Sequence, residues 1–531
     1  MSEAKTAAPP RPGTFDSLVR AMSSWRTASV SLLSFSSGLP LGLVWIAIPD
    51  WMRSSGVDIR IVGLITLAQA PWSFKLLWSP LMDRYSLPFM GRRRGWIAVA
   101  QIALFAITLM LAGLGDAPET PWVVIALAFA IAIASASQDI AYDAYTVDVL
   151  RPEEQGVAVG AKTAIYRGAM YVAGALSITL AGYYSWPLVN VILACLYLPM
   201  IVIAWKAPEP DDTPRSPRTL KEAIWYPFLG FLGRHRALEI LAFVFFYKLA
   251  DNLAEALLRP FLVDMGYSAA HRGVGLATVG LFTMMAGVFV GGVLTTSWGL
   301  GHSLWVFGIL QVFSNIGYVF VARAGVAPML MYSAMAFENA AKGLGTGAFM
   351  VLLLRMTQKR FSATQYALFS SLFALPRIVS GPISGFTVDA VGWEAFFWAT
   401  LVAGVPGLLL LQRFAPLGTR EPVFTVEEAH DRRRLTTGEL AVRGCCGGAA
   451  GLALGATCVA LMSALKAMRS EPGPGFDLAA ACARLLQPDD AGGWLQIAGL
   501  LTFGIISGLI TAAIFAARHG EAGEIGRRAS S

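Results

Sequence analysis

The chain has 531 residues, of which 56% are hydrophobic and only 14% are charged, and its mean hydropathy is +0.59. These values indicate a polytopic membrane protein. The net charge of +7 does not point to nucleic acid, because the basic residues are divided among loops. The cysteines form no C-x-x-C pair and predict neither a disulfide framework nor a metal site: Cys195, Cys445, Cys446, Cys458 and Cys482.

The N-terminal segment, residues 1–27, is polar and contains prolines. It has no apolar core followed by a small-residue cleavage site, so it is not read as a signal peptide. We expect it to remain as a short cytosolic tail.

Apolar stretches of membrane-spanning length recur from about Ser29 to Ala516. A helix needs about 20 such residues to cross the hydrocarbon core. A β-barrel would show short alternating segments instead, so the predicted fold is all-α. We predict about fourteen spans, at residues 28–50, 59–82, 95–114, 121–149, 156–184, 186–206, 237–263, 273–297, 302–322, 327–355, 363–390, 392–413, 441–466 and 493–516.

Loop charges predict the orientation of these spans. Lysine and arginine cluster after the second, sixth, tenth and twelfth spans, whereas connections such as 115–120 and 183–185 are short and poor in both. By the positive-inside rule, both termini face the cytosol.

Two polar linkers, at residues 207–236 and 414–440, divide the spans into three groups. The groups are a six-helix bundle at 28–206, a second at 237–413, and two extra helices at 441–516, with a cytosolic tail at 517–531. Such paired bundles are typical of secondary transporters, whose substrate site lies near the middle of the membrane. The extra helices are interpreted as lipid-facing packing.

Ionisable residues inside the spans are confined to a few helices. They are Lys75, Asp139, Asp143, Lys162, Arg167, Lys248, Asp251, Glu255, Glu338, Lys342 and Arg377. Charges at membrane depth are costly and usually mark a substrate or ion path, so their clustering predicts one polar cavity shared by both bundles.

Helical spacing strengthens this prediction, because residues three, four or seven apart share one helix face. In the fourth span Ser135, Gln138, Asp139, Tyr142 and Thr146 form one stripe, with Asp143 at its edge.

An alternative interpretation is that the buried charges only form salt bridges between helices. It stays open for Lys248 and Asp251, which are three residues apart. Asp139 and Asp143 fit it less well, since two acids one turn apart repel and would need two separate cations.

Two smaller features of the later spans carry predictions. The alternating Gly343, Gly345 and Gly347 are interpreted as close helix packing and not as a nucleotide loop, because no strand precedes them. Pro376 and Pro382 are expected to break or kink the eleventh span.

The loop after the second span reads SPLMDRYSLPFMGRRRG. It resembles the signature that major facilitator superfamily transporters carry between their second and third helices, although Asp83-Arg84 and Gly91–Arg94 stand further apart than usual. Five longer blocks look like the AmpG muropeptide permeases: Ser37–Met52, Phe74–Trp96, Ser135–Leu150, the FEN and GTGAF segments within Phe337–Phe349, and Phe361–Leu372.

This resemblance implies a major facilitator fold and uptake of N-acetylglucosaminyl-1,6-anhydro-N-acetylmuramic acid, with or without its stem peptide. Transport would run from periplasm to cytosol by proton symport, during cell-wall recycling. The family's polar site carries over to Gln138, Asp139 and Asp143 in the fourth span and to Lys75 in the second. Lys342 departs from the small residue expected there, and the loop GGVLTTSWGLGHS lacks a basic copy of the Asp-Arg signature.

These observations give a specific site hypothesis for alternating access. Asp139 and Asp143 are the first candidates for proton coupling, and Glu338, Asp251 and Glu255 are the second. The cargo carries carboxylates, so cations are expected to bind it. The candidate substrate-binding residues are Lys75, Arg167, Lys248 and Arg377, with Gln138, Asn252 and Asn339 as hydrogen-bonding groups and Tyr142 as a ring that could stack on a sugar.

A latch at the cytosolic side is expected from Asp83, Arg84, Arg92, Arg93 and Arg94. We expect a monomer in the inner membrane, in contact with lipid, with no metal, no nucleic-acid partner and no cofactor other than the proton gradient.

Alternatives remain open at this point. A related branch of the family carries acetyl-CoA, so another anionic solute could be the cargo. A sensor that binds muropeptide without accumulating it is also possible. An intramembrane aspartyl protease is weakly suggested by Tyr142-Asp143 and by the Gly113–Asp116 segment, but their order is reversed and Asp116 falls in a short loop.

Overall fold

The computed structural model describes residues 23–57, 68, 70–87, 90–116, 121–210, 219, 222–223, 226–227, 231, 237–422, 435–470, 478–486 and 491–518. Most of the predicted N-terminal tail, the polar linkers and the C-terminal tail therefore lie outside the described residues. Every regular element in the described part of the chain is a helix.

We number these helices in chain order. They are α1 Trp25–Ser54, α2 Ala70–Phe74, α3 Ser79–Arg84, α4 Arg94–Ala112, α5 Pro121–Val149, α6 Gln155–Ala181, α7 Trp186–Lys206, α8 Ala237–Phe246, α9 Leu249–Ala256, α10 Leu258–Asp264, α11 His271–Trp298, α12 Leu300–Ala324, α13 Pro328–Met356, α14 Ser362–Phe414, α15 Thr437–Ser470, α16 Leu478–Leu486 and α17 Ala491–Arg518. Helices α1 to α7 are called the first half, and α8 to α14 the second half.

Ten helices in the described part of the chain are long and apolar enough to cross a membrane. They coincide with the predicted spans one, three to six, eight, nine and twelve to fourteen. The other four predicted spans are the second, seventh, tenth and eleventh. The second and seventh are interrupted in the structure, whereas the tenth corresponds to α13 and the eleventh lies within α14. The all-α membrane fold is confirmed, and the count of fourteen stays a prediction.

Two of these four spans are interrupted at lysines. In the second, α2 is followed by a 3₁₀ turn at Lys75–Leu77 and then by α3, whose first turn contains Pro80. In the seventh, the chain leaves α8 at Tyr247 and resumes as α9 after Lys248. Broken helices at membrane depth are tolerated where they line a polar cavity. Both breaks therefore place a cation in the interior.

The eleventh and twelfth predicted spans are two helical segments that meet at a turn at Gly392, and α14 denotes both segments together. The sequence predicts a break or kink at Pro376 and Pro382. The break is wrong, because the residue of α14 with non-helical backbone angles is Gly392, at φ 78° and ψ 171°, and a kink stays a prediction. Neighbouring helices and local adjustments let membrane helices retain prolines, whereas glycine readily adopts a positive φ. The turn therefore forms at the glycine.

Glycines allow the closest helix contacts in the second half. A Cβ on Gly343 would lie 2.6 Å from the Met284 carbonyl oxygen of α11, and one on Gly345 would lie 1.8 Å from the Gln311 amide nitrogen of α12. The interpretation of the alternating glycines as packing residues is confirmed.

The chain divides into two compact units. The first, residues 1–223 and 239–422, contains both halves apart from the first two residues of α8, and the second contains residues 224–238 and 423–531. In the second unit α15 packs on α17 through small residues: Gly447 faces Thr511, and Gly451 faces Ser507. Small residues at such contacts let membrane helices approach closely.

Candidate functional site

One group of charges in the first half surrounds Asp143 on α5. One carboxylate oxygen, Oδ1, accepts a hydrogen bond from Lys162 Nζ of α6 at 3.0 Å. The other, Oδ2, lies 3.7 Å from Lys75 Nζ, in the break between α2 and α3. Both lysines are 9% exposed. Two cations therefore share one carboxylate, which leaves an excess positive charge.

Asp139, one helical turn before Asp143, has a different environment. It is half-buried, and no described lysine or arginine nitrogen lies within 4.0 Å of its carboxylate. Asp139 has a side-chain hydrogen bond with Ser37 but no ion pair among the described residues. A carboxylate at membrane depth without a paired cation is costly as an anion, whereas the neutral acid is much less so. The two predicted proton carriers are thus distinguished by their neighbours: Asp143 is ion-paired and Asp139 is not.

The remaining polar residues of the α5 stripe are engaged in the helix contacts of the first half. Gln138 Nε2 donates to Ser36 Oγ at 2.7 Å and to Ser37 Oγ at 3.2 Å, and the residue is fully buried. Tyr142 donates its hydroxyl hydrogen bond to the Val30 carbonyl at 2.7 Å. Both residues therefore contact α1 in the structure, Gln138 Oε1 has no hydrogen-bond partner among the described residues, and the predicted contacts with substrate stay predictions.

The second half contains two further charged groups. Lys248 Nζ contacts Asp251 Oδ2 at 3.1 Å and Gln311 Oε1 at 2.5 Å, and the lysine is 2% exposed. The open interpretation of this pair as an internal salt bridge matches the geometry. Lys342 of α13 pairs with Glu255 of α9.

The other candidates on these helices are bound locally. The Tyr318 hydroxyl donates to Glu338 Oε2 at 3.3 Å, and Glu338 is 3% exposed. Asn252 donates to the Lys248 carbonyl at 2.6 Å, and Asn339 donates to the Met335 carbonyl at 2.9 Å. Both asparagines therefore use their amide nitrogens within their own helices.

Two arginines remain accessible for a ligand. The guanidinium of Arg377 on α14 is exposed and lies 5.9 Å from the ring centre of Trp45 on α1, so this contact joins the two halves. Arg167 on α6 is half-buried, and its Nε has no hydrogen-bond partner among the described residues. These are the cations of the predicted set that lack a carboxylate partner in the described part of the chain.

A buried acid, Asp83, joins the two halves at one of their ends. We call this end the basic end, because Arg92, Arg93 and Arg360 lie there. Asp83 of α3 is fully buried and accepts hydrogen bonds at the N-terminus of α14. The donors are Ala363 N at 3.2 Å, Thr364 N at 2.8 Å and Thr364 Oγ1 at 2.6 Å. A carboxylate at a helix N-terminus satisfies free N–H groups and complements the helix dipole. Asp83 thus caps a helix of the other half.

Arg93 completes this network. It donates to Asp83 Oδ1 at 2.5 Å, to Asp148 Oδ2 at 3.1 Å and to Ser362 Oγ at 2.8 Å. Burial disfavours its charge, but Asp83 and Asp148 more than offset this and raise the pKa of Arg93. It stays cationic at any physiological pH.

Arg92 joins the halves in the same region. It donates to Asp83 Oδ1 at 3.3 Å and to the Arg360 carbonyl of the second half at 2.9 Å. Burial, with the neighbouring Arg93, lowers the pKa of Arg92 to about 10, so this side chain also stays charged at neutral pH.

The other two predicted latch residues lie outside this network. Arg84 stacks on the Tyr85 ring at 5.0 Å. Arg94 pairs with Glu209 and donates to the Ala207 carbonyl at 2.6 Å, which ties the loop to the end of the first half. We use the name latch for Asp83, Arg92, Arg93 and Asp148 together with the first turn of α14.

Sequence reasoning missed several members of these groups. The sequence shows Lys162 as a charge at membrane depth but gives it no role. The residue lies seven positions after Gln155, the first residue of α6, and is therefore inside a span. Asp148 lies in the Ser135–Leu150 block, and Ser362 and Thr364 lie in the Phe361–Leu372 block. The signal for all of them was polarity beside an apolar span. Among the described residues, no group of three His, Cys, Asp or Glu could hold a metal ion.

Comparison with known proteins extends these observations. A family model for the Major Facilitator Superfamily matches residues 30–381. The chain belongs to this superfamily. The anhydromuropeptide permease of Escherichia coli K12 is 40% identical over 388 residues, which are 73% of this chain and 79% of the relative. That similarity places the chain in the AmpG-type branch of the superfamily, as its motifs predicted.

Other relatives and solved structures agree. An uncharacterized protein of Haemophilus influenzae is 34% identical over 72% of this chain and 93% of its own length. The Escherichia coli fucose:proton symporter FucP has a TM-score of 0.59 at 13% identity, covering 73% of this chain and 98% of that one. This likeness shows the fold alone.

The major facilitator family is one of transporters, so the protein is a multi-span membrane transporter for a small molecule and not an enzyme. The protease alternative is unsupported, since Asp116 binds the Trp186 amide at 2.7 Å beyond the end of α4. Asp143 lies about 33 Å along α5 from Pro121, the first residue of that helix, so it is not close to the loop that contains Asp116.

Proposed function

We propose that this protein imports anhydromuropeptides from the periplasm to the cytosol by proton symport across the inner membrane. The cargo is N-acetylglucosaminyl-1,6-anhydro-N-acetylmuramic acid, with or without its stem peptide. The observation that carries the proposal is the charge arrangement on α5, where an ion-paired Asp143 stands one turn from Asp139, which has no ion pair among the described residues. The permease of Escherichia coli K12 supports the choice of cargo.

The cargo carries a lactyl carboxylate and often peptide carboxylates, so it needs cations that can leave or lack a partner. Arg167 and Arg377 lack a carboxylate partner in the described structure. Lys75 holds Asp143 only at 3.7 Å and could turn to a ligand. Lys248 is paired inside the second half, so its predicted contact would require that pair to open.

Asp139 is the proposed proton acceptor. A proton from the periplasm would neutralise its carboxylate before the cavity closes. The charged groups nearby would then carry an excess positive charge from Lys75 and Lys162 over Asp143, which suits an anionic cargo. Release of the proton in the cytosol would restore the negative charge and weaken the hold on the cargo.

Alternating access would move the two halves against each other. The latch joins the two halves at the basic end, which supports a gating role for it. The positive-inside rule predicts that this end lies in the cytosol together with both termini. The described conformation would therefore have its cytosolic side closed. A monomer suffices for this cycle, and the proton gradient replaces a cofactor.

The test is uptake of labelled anhydro-disaccharide into right-side-out membrane vesicles, with and without an inward proton gradient. Wild-type vesicles should accumulate the sugar, and a protonophore should abolish accumulation. Asp139→Asn should lose accumulation but keep exchange of internal for external sugar, because asparagine resembles the neutral acid. Asp50→Asn, at an exposed position on α1, is the matched control and should behave as wild type.

Gradient-driven accumulation by Asp139→Asn at normal expression would overturn the proton role. Labelled acetyl-CoA in the same vesicles tests the second cargo. Accumulation of acetyl-CoA in place of the disaccharide would show that the cargo is wrong while the transport mechanism stands. Binding without accumulation of either would indicate a sensor.

A further inference from the structure

Lys162 occupies the contact between the two halves. Its ammonium, which binds Asp143 at 3.0 Å, lies 4.8 Å from the ring centre of Tyr142 and 5.8 Å from that of Tyr366. Tyr142 is on α5 of the first half, and Tyr366 is on α14 of the second. A cation within about 6 Å of an aromatic centre is attracted to the ring, most strongly when water is excluded. The Lys162 ammonium therefore interacts with one aromatic ring from each half.

The two rings are held in place by their own hydroxyl groups. Tyr142 donates to the Val30 carbonyl at 2.7 Å, and the Tyr366 hydroxyl lies 3.8 Å from the Met350 sulfur. Both tyrosines are 3% exposed. Because the hydroxyls are directed at other partners, it is the rings that remain for the lysine.

Tyr366 also lies beside the latch along the chain. Thr364, two residues earlier, donates its N–H and its hydroxyl to Asp83. The first turns of α14 are thus held twice, by the latch at its end and by Lys162 further into the membrane.

We propose that Lys162 is a positioning residue that transmits the charge of Asp143 to the start of α14. The proposal rests on the proposed transport function. While Asp143 is ionised, it holds Lys75 and Lys162 together and keeps Lys162 against Tyr366. When a proton neutralises Asp139, the single negative charge of Asp143 remains for both ammonium groups, and these repel each other more strongly. Lys162 then leaves the rings, and the start of α14 is released from the first half.

The experiment compares four variants in the full-length protein: Lys162→Met, Lys162→Arg, Tyr366→Leu and Tyr366→Phe. Uptake is measured in vesicles as kcat and KM. The separation of the halves is measured by pulsed electron paramagnetic resonance between spin labels at Ser86 and Lys359, both exposed near the basic end, in a cysteine-free background. Tyr171→Leu, an exposed tyrosine on α6, is the control for losing a ring.

Lys162→Met and Tyr366→Leu should each lower kcat about tenfold with KM changed less than about twofold. Both should shift the label distances toward a more open basic end. Lys162→Arg and Tyr366→Phe, which keep the cation and the ring, should stay within about twofold of wild type. The double variant Lys162→Met with Tyr366→Leu should be no worse than either single one, since both remove the same contact.

Equal losses in Tyr366→Phe and Tyr366→Leu would overturn the proposal, because the hydroxyl and not the ring would then matter. A rise in KM at constant kcat would overturn it too, since Lys162 would then bind cargo directly. If Lys162→Met does not fold, the Tyr366 pair decides alone. If wild-type vesicles take up no anhydro-disaccharide, the proposed function fails, and the label distances still test the contact.

Discussion

The two halves meet near the basic end in two chemically different ways. Between α3 and α14 the contact is the latch, in which one buried carboxylate accepts bonds from three donors of the other half. Between α6 and α11 the contact is backbone against backbone. A Cβ on Gly156 would lie 2.3 Å from the Gly292 carbonyl oxygen, and one on Gly160 would lie 2.8 Å from the Phe289 carbonyl oxygen.

This difference in chemistry indicates which of the two contacts can open. Polar groups of the latch can exchange their bonds for bonds to water when the basic end opens, so separation costs only the net value of each bond. The glycine contact offers water little to bind, and its stability comes from close packing. We infer that the glycine contact stays closed as a pivot and that the latch opens.

The largest expected loss of uptake comes from filling the pivot. Gly156→Ala should place a methyl group 2.1 Å from Thr296 Oγ1 and 2.3 Å from the Gly292 carbonyl, so the helices must move apart. We expect a loss of about 1–3 kcal/mol in stability and uptake near background. The measurement is thermal unfolding of the purified protein together with vesicle uptake.

Gly168→Ala provides the control on the same helix, since a Cβ there meets nothing within 4 Å. It should leave stability and uptake unchanged or slightly raise stability. If Gly156→Ala transported as well as Gly168→Ala, close contact between α6 and α11 would not be needed.

The next largest effect is expected from the latch. Asp83→Ala leaves Arg93 and the N–H groups of Ala363 and Thr364 buried without their acceptor, at a cost of about 3–5 kcal/mol to the closed basic end. The open end should then be populated more, and uptake should fall at least about tenfold. Asp83→Asn keeps one acceptor oxygen and should show a smaller loss.

A cysteine at Ser362 reports on the closed end, because this position is fully buried. In Ser362→Cys the thiol should be protected from a maleimide reagent, and adding Asp83→Ala should expose it. Arg84→Ala is the matched control, since Arg84 stacks on Tyr85 outside the latch. Equal labelling with and without Asp83→Ala would contradict the assignment of this network as a latch.

The pivot and the latch also show what sequence reasoning could reach. The helices themselves follow from apolar runs: α5 begins and ends at the predicted residues 121 and 149. The acids and lysines at membrane depth were found for the same reason, since charges in such runs stand out. The signature loop also drew attention to Asp83, which the structure places in contact with α14, while its role in gating stays a prediction.

Contacts between distant parts of the chain could not be predicted. Asp83 caps a helix that begins about 280 residues later in the chain, and the sequence of neither segment indicates that the two are in contact. Which lysine pairs with Asp143 depends on how α5 and α6 rotate about their axes, which is set by packing over the whole bundle. For this reason Lys162 was seen as a charge but not as a partner.

The smallest expected effect is at the edge of the pivot. Arg355 Nε of the second half donates to Gln155 Oε1 of the first at 3.3 Å, which is the polar contact nearest to Gly156 along α6. Gln155→Ala removes it, but Arg355 keeps its pair with Glu421, so no buried charge is left alone. We expect a loss of about 1 kcal/mol or less and uptake within about twofold of wild type.

Combining Gln155→Ala with Asp83→Asn sharpens the comparison. If the pivot depends on packing alone, Gln155→Ala should not add to the opening caused by Asp83→Asn. The thiol of Ser362→Cys should then react with the maleimide equally in the Asp83→Asn variant and in the variant that also carries Gln155→Ala. If the double variant opened far more than Asp83→Asn alone, the hydrogen bond between Arg355 and Gln155 would also help to keep the basic end closed. The two contacts would then differ in geometry but not in role, because both would be polar locks that release together.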